Sequence, residues 1–183
     1  MRLILVTLVA SLAVGLAAGG SLREFPAVRI RWAWLALLGV VLQFLVVDGT
    51  LALVALLASF ALLITFAIGN LPAPGFVPIL IGLALNAVVI GVNQGMPVTR
   101  HALVASGQQD TIQELAENGD GQKHFLADDE TTLVFLADSI AVPAPIRQAI
   151  SVGDVFVHAG VAWFVVTAMR RRKPVRNTAA AGV

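Results

Sequence analysis

The chain reads as an all-α, polytopic membrane protein: five transmembrane helices with a structured extracytoplasmic segment. Three observations lead there. Of 183 residues, 58% are hydrophobic and 13% are charged, whereas soluble domains average about half apolar and a quarter charged. The apolar residues come in unbroken runs close to the roughly 17–20 residues that carry a helix across about 30 Å of hydrocarbon. The basic residues are segregated, with eight of the twelve Lys and Arg shared between the link after the first run and the C-terminal tail.

Leu3 to Ala18 is the first run, followed by Gly19-Gly20 and a link carrying Arg23, Arg29 and Arg31. Its small residues near Gly15 to Ala18 resemble a signal-peptide cleavage site. Arg2 alone is a weak basic leader, however, and cleavage would strand the three arginines outside, so an uncleaved helix is expected. Ser11, Gly15 and Gly19 fall four apart on one face, which predicts close packing against another helix of the same chain. Trp32 to Val47 is the second run, closed by the turn dipeptide Asp48-Gly49. Leu51 to Ile68 is the third, and Asn70 to Gly75, with two prolines and a glycine, ends it. Phe76 to Val92 and Val152 to Met169 are the fourth and fifth.

The predicted organisation is therefore a four-helix transmembrane region over residues 1–93, an acidic extracytoplasmic loop or cap over 94–151, the fifth helix over 152–169 and a basic cytoplasmic tail over 170–183. The side opposite the basic clusters holds Arg2, Arg100, Lys123 and Arg147, diluted by eight carboxylates between Asp110 and Asp138. The positive-inside bias then puts the N-terminus outside and the C-terminus in the cytoplasm of a bacterial inner membrane. Within the outer segment, Thr111 to Ala116 is expected as a short helix and Asn118 to Gly121 as a turn. Leu133 to Leu136 and Ile140 to Val142 flank Asp138 with apolar residues too few to span, so they are expected to pack on or between helix ends.

The order of features resembles a family of small bacterial integral membrane proteins, domain of unknown function 5317. The likeness rests on the first helix ending in Gly19-Gly20 with its arginine link, on Asn93-Gln94-Gly95-Met96-Pro97-Val98, on Thr132 to Ile140, and on Ser151-Val152-Gly153-Asp154. Ala137 stands where the family pattern would have glycine, which argues against a glycine-only backbone conformation there. The resemblance implies a fold and a membrane location, and no activity.

Among soluble-enzyme signatures, no Walker loop, zincin, nucleophile-elbow or dinucleotide motif occurs, and no basic stripe with interleaved aromatics suggests nucleic acid. The chain has no cysteine. His101 and His124 read as loop residues whose spacing fits no metal motif, and no cofactor is specified. The expected partners are the lipid bilayer and a membrane protein or larger complex. Polar residues inside apolar runs carry the most information, because they face a bundle interior or cavity. Gly82, Asn86 and Asn93 share one stripe of the fourth helix within about 40°. Gln43 lies on the second helix, and Asp154 and His158 are four apart on the fifth. Reckoned from the helix ends, all fall in the outer half of the membrane. The candidate is thus a polar pocket of Gln43, Asn86, Asn93, Asp138, Asp154 and His158. Two function classes follow: a non-enzymatic accessory subunit or small-molecule or lipid-binding component, or an enzyme or proton-coupled transporter using the Asp154/His158 pair. A simpler role for Asp154 is to cap the fifth helix, where negative charge is favourable.

Overall fold

A computed structural model describes residues 2–27, 29–44, 50–117 and 123–170. Five helices form a bundle: α1 (Arg2–Ala17), α2 (Ala33–Gln43), α3 (Thr50–Gly69), α4 (Phe76–Asn93) and, after the cap, α7 (Val152–Met169). The cap contains β1 (Met96–Val98), α5 (Arg100–Ser106), α6 (Gln109–Glu117), β2 (His124–Leu126), β3 (Ile140–Val142) and β4 (Gln148–Ile150). Four of the bundle helices begin and end within a residue or so of the apolar runs; α2 ends at Gln43, short of the run expected to reach Val47, and residues 45–49 lie outside the described residues. Pro78 is tolerated in α4 because it falls in the first turn, where a backbone N–H has no partner within the helix.

In the bundle, α7 packs between α1 and α4, α4 packs also on α3, and α2 packs on α3. Thr7 meets His158 and Gly15 meets Met169, so α1 and α7 run parallel. Gly82 meets Gly153 and Gly75 meets Gly160, so α4 and α7 run antiparallel. Gln43 meets Ser59 and Trp32 meets Gly69, so α2 and α3 are antiparallel as well. α1, α4 and α7 therefore run between the same two ends, with the cap at one of them; α3 packs on α4, and the described part of α2 lies along only the Ser59 to Gly69 half of α3.

By length and composition, α3, α4 and α7 are long and apolar enough to cross a membrane. α1 and α2, with 16 and 11 residues in the described part, extend about 24 Å and 16 Å. The Asp48-Gly49 turn, the Asn118 to Gly121 turn and the tail from Arg171 lie outside the described residues. The bundle's outer surface is apolar: Val54, Val77, Val88 and Trp163 are each more than half exposed, the pattern of helices solvated by lipid.

Backbones come close together along the seam between α4 and α7. A Cβ on Gly82 would strike the carbonyl of Gly153, and one on Gly75 the carbonyl of Gly160. On the other flank, Ser11 and Gly15 are the buried residues of α1, and Gly15 abuts Met169. Gly19 departs from the expected stripe. It follows the end of α1 with φ +76°, and a Cβ there would meet nothing within 4 Å. Its role is conformational, because a helix terminus of this kind needs the left-handed backbone that glycine provides.

The bundle core joins Leu56, Phe60, Ile79, Leu83 and Val89 to Met96 and Leu136 of the cap. Val98, Leu103 and Ile112 make a smaller core within the cap. The expected helix near Thr111 is α6, with Ile112 turned inward. The all-α expectation needs correction in the cap. β1 pairs with β2 in parallel and β3 with β4 antiparallel, so the fold is mostly helical. Three-residue strands are too short to show alternation, which is why pattern reading missed them. The Leu133 to Val142 stretch packs only in part: Leu136 and Ala137 are buried, whereas Phe135 is 67% exposed.

Two asparagines tie the connections to helix ends by the same device. Asn70 accepts from the N–H of Arg31 and donates to its carbonyl, at 2.8 and 2.9 Å. Asn93 does the same to Thr132, at 2.9 and 2.8 Å. Each side-chain amide imitates a strand partner, pinning an otherwise irregular segment.

Candidate functional site

The local sequence Ser151-Val152-Gly153-Asp154 builds one wall of the site. The Ser151 hydroxyl accepts from the N–H of Asp154 at 2.9 Å, and the Asp154 carboxylate accepts from the N–H of Ser151 at 3.1 Å. This reciprocal capping box starts α7 and satisfies two donors that would otherwise lack partners. Asn86 reaches across from α4, donating to Asp154 Oδ1 at 2.8 Å and accepting from the Ser151 hydroxyl at 2.9 Å. Gly153 makes the bridge possible, since any Cβ there would overlap the Asn86 amide.

Above this network lies a cavity of roughly 1130 Å³ between bundle and cap. Leu56, Phe60 and Ile90 supply apolar wall from α3 and α4. Gln43, Asn86, Asp138, Asp154, Lys123 and His124 supply polar wall. Phe60 is ten residues from the start of α3, about 15 Å along the axis, so the cavity reaches well into the bundle.

Of the six residues predicted from sequence, the structure brings Gln43, Asn86, Asp138 and Asp154 to this cavity. Asn93 and His158 are not among its lining residues. Asn93 is occupied with Thr132 and with the carbonyl of Val89, and His158 Nδ1 turns to the Thr7 hydroxyl of α1 at 3.0 Å. Gln43 donates to Ser59 at 2.9 Å, which joins α2 to α3 at the cavity's edge. Lys123, counted in the sequence only for topology, and His124, read there as a loop residue but placed in β2, also line the cavity. Lys123 donates to the Gln43 carbonyl at 2.8 Å, and His124 is placed by the pairing of β2 with β1. A distant strand partner gave no local signal for either.

Residues 27–166 match the model of a family of unknown function, DUF5317. The chain belongs to that family. No curated protein and no solved structure gives a match. The DUF5317 match leaves α1 outside it, so the Gly19-Gly20 ending is not part of what defines membership here. The other three motifs lie inside it. In the DUF5317 fold they converge: Met96 to Val98 form β1, Asp138 bridges to Val98, and Ser151 with Asp154 caps α7. Ala137 adopts φ −62°, a backbone that needs no glycine.

Electrostatics single out Asp138 within this DUF5317 site. It is 7% exposed, and its Oδ1 is buried without a hydrogen-bond partner. Burial, helped by the nearby charge of Asp154, pushes its pKa up to about 8, so the acid is mostly protonated at neutral pH. His124 keeps solvent-exposed surface, yet crowding by the surrounding protein lowers its pKa, with Asp154 opposing and Lys123 adding to the effect. Among the described residues, no group of three or more His, Cys, Asp or Glu side chains is arranged to hold a metal ion.

Proposed function

We propose that this chain crosses a bacterial inner membrane five times, with the cap and N-terminus outside and the C-terminus in the cytoplasm, and binds an amphipathic small molecule or lipid beneath the cap. The carrying observation is the mixed cavity wall: apolar Leu56, Phe60 and Ile90 from the bundle beside polar Asn86, Asp138, Asp154 and Lys123, with Asp110, Glu114 and Arg147 adding charge from the cap. A cavity that offers apolar side chains beside many polar ones suits a ligand that has both an aliphatic and a polar part. Five crossings are supported by five apolar helices packed in one bundle, with α1 and α2 as the short ones. Arg23, Arg29 and Arg31 lie in the link at the end opposite the cap, where the positive-inside bias puts the cytoplasm. The protein acts as a binding component, alone or as a subunit of a larger membrane complex. His158 is engaged with Thr7 rather than the cavity, which weighs against a transporter or enzyme built on an Asp154/His158 pair.

The chain contains no cysteine, so single cysteines report topology and cavity together. Asp129→Cys is expected to react with an impermeant maleimide in whole cells, and Arg29→Cys to react only after lysis. In detergent, Leu56→Cys should react with a small maleimide and be protected several-fold by dodecanol. Reversed labelling of the first two overturns the orientation; labelling of Leu56→Cys that dodecanol leaves unaffected overturns the ligand reading.

A further inference from the structure

Asp138 is the polar group that the cavity leaves unsatisfied. Its backbone is fixed on both sides: its N–H donates to the Pro97 carbonyl at 2.9 Å, and its carbonyl accepts from the N–H of Thr99 at 3.1 Å. The carboxyl is thus held at the wall and cannot retreat into the cap. Four donors of the surrounding wall are engaged elsewhere. Asn86 donates to Asp154, Ser151 to Asn86, Gln43 to Ser59 and Lys123 to the Gln43 carbonyl. Leaving a buried carboxyl oxygen without a donor is costly, and native proteins do so rarely outside sites that a further group completes.

The missing group is a donor, and its surroundings favour a positive one. Asp154 stands on the same cavity wall, so a cation beside Asp138 is attracted by both acids. Arg147 is turned to the Gly107 carbonyl at 2.7 Å and Arg2 to the Ile146 carbonyl at 3.4 Å. Both therefore have acceptors within the cap. We infer that the ligand's head group is a protonated amine carried on an aliphatic chain, bound by Asp138 with Asp154 as the second acid. This rests on the amphiphile reading of the cavity. An ammonium supplies three donors and a charge, whereas a hydroxyl supplies one donor and none. Asp138 holds a proton at neutral pH; an arriving ammonium stabilises the carboxylate, and that proton leaves to water.

The test compares dodecylamine with dodecanol on the purified full chain by calorimetry near neutral pH, in buffers of different ionisation enthalpy. The amine is expected to bind about tenfold tighter than the alcohol, the size of one charge-assisted hydrogen bond, and to release a proton. Asp138→Asn keeps the shape, removes the charge, and should bring the two affinities within about twofold. Equal affinities in the wild type, or an amine preference that survives in Asp138→Asn, overturn the inference. Saturable dodecanol binding beside either result leaves the amphiphile reading standing, and saturable binding of neither probe overturns both.

Discussion

Gly153→Val is expected to abolish recovery of folded protein from membranes, while Gly91→Ala should leave yield and melting unchanged. The contrast follows from where each Cβ would go. At Gly153 it meets the Asn86 amide and the Gly82 carbonyl; at Gly91 nothing lies within 4 Å. The first site is a backbone-to-backbone seam, and backbone does not shift aside as a flexible side-chain tip would. Overpacking a core costs about 1–3 kcal/mol where side chains yield, so a collision with two fixed groups exceeds that range. The change also separates Asn86 from Asp154, undoing the cap of α7. Gly160→Ala, which meets the Gly75 carbonyl and Ile79, should give a milder loss, visible as a lower melting temperature in detergent. Wild-type melting in both Gly153→Val and Gly160→Ala would show that α4 and α7 do not meet along this face.

The second large effect is on stability against pH. The Asp138 pKa rises from 3.8 in the unfolded reference to about 8 in the folded chain. A raised carboxyl pKa means that the folded state binds the proton more tightly. The stability contribution is fully present below about pH 4 and is lost as pH climbs toward 8, at up to about 1.4 kcal/mol per pH unit. His124 faces the same cavity with a lowered pKa, and its contribution has the opposite sign, falling away below its ordinary 6.5. Between pH 6.5 and 8 the Asp138 slope therefore stands clear of His124, with Asp154 and Lys123 as the neighbouring ionisable groups. Melting of the wild type should drop across that window, and Asp138→Asn should be flat and higher at the alkaline end. Parallel curves for the two proteins would mean that Asp138 is solvated.

The bundle was legible because lipid-facing helices need uninterrupted apolar sequence, and the breakers at Asn70 to Gly75 and beyond Asn93 stand out against it. Asn86 and Asp154 were legible for the same reason: a polar side chain in an apolar run must find a partner. Their direct bond was not, since it depends on Gly82 and Gly153 bringing two backbones together, and a spacing of seven in each helix does not say which glycine meets which. Asn93 and His158 sit in equally apolar runs yet face the cap and α1, because depth along a helix does not determine direction around it. The apolar wall was invisible. Leu56, Phe60 and Ile90 look in sequence like Val54 and Val88, and only packing separates cavity from lipid. In the cap, β1 pairs with a strand 28 positions later in register, Met96 with His124, so neither strand carries a local signature.

That last distinction, cavity against lipid, is the one to measure. A long-chain alkyl diazirine, photolysed with the full chain in lipid nanodiscs and mapped by mass spectrometry, should label Leu56, Phe60 and Ile90 in a way that excess unlabelled dodecylamine or dodecanol competes away. Lipid-facing Val54, Val88 and Val92 should label without competition. Labelling confined to the lipid-facing set, or cavity labelling that no competitor reduces, would contradict an amphiphile site beneath the cap.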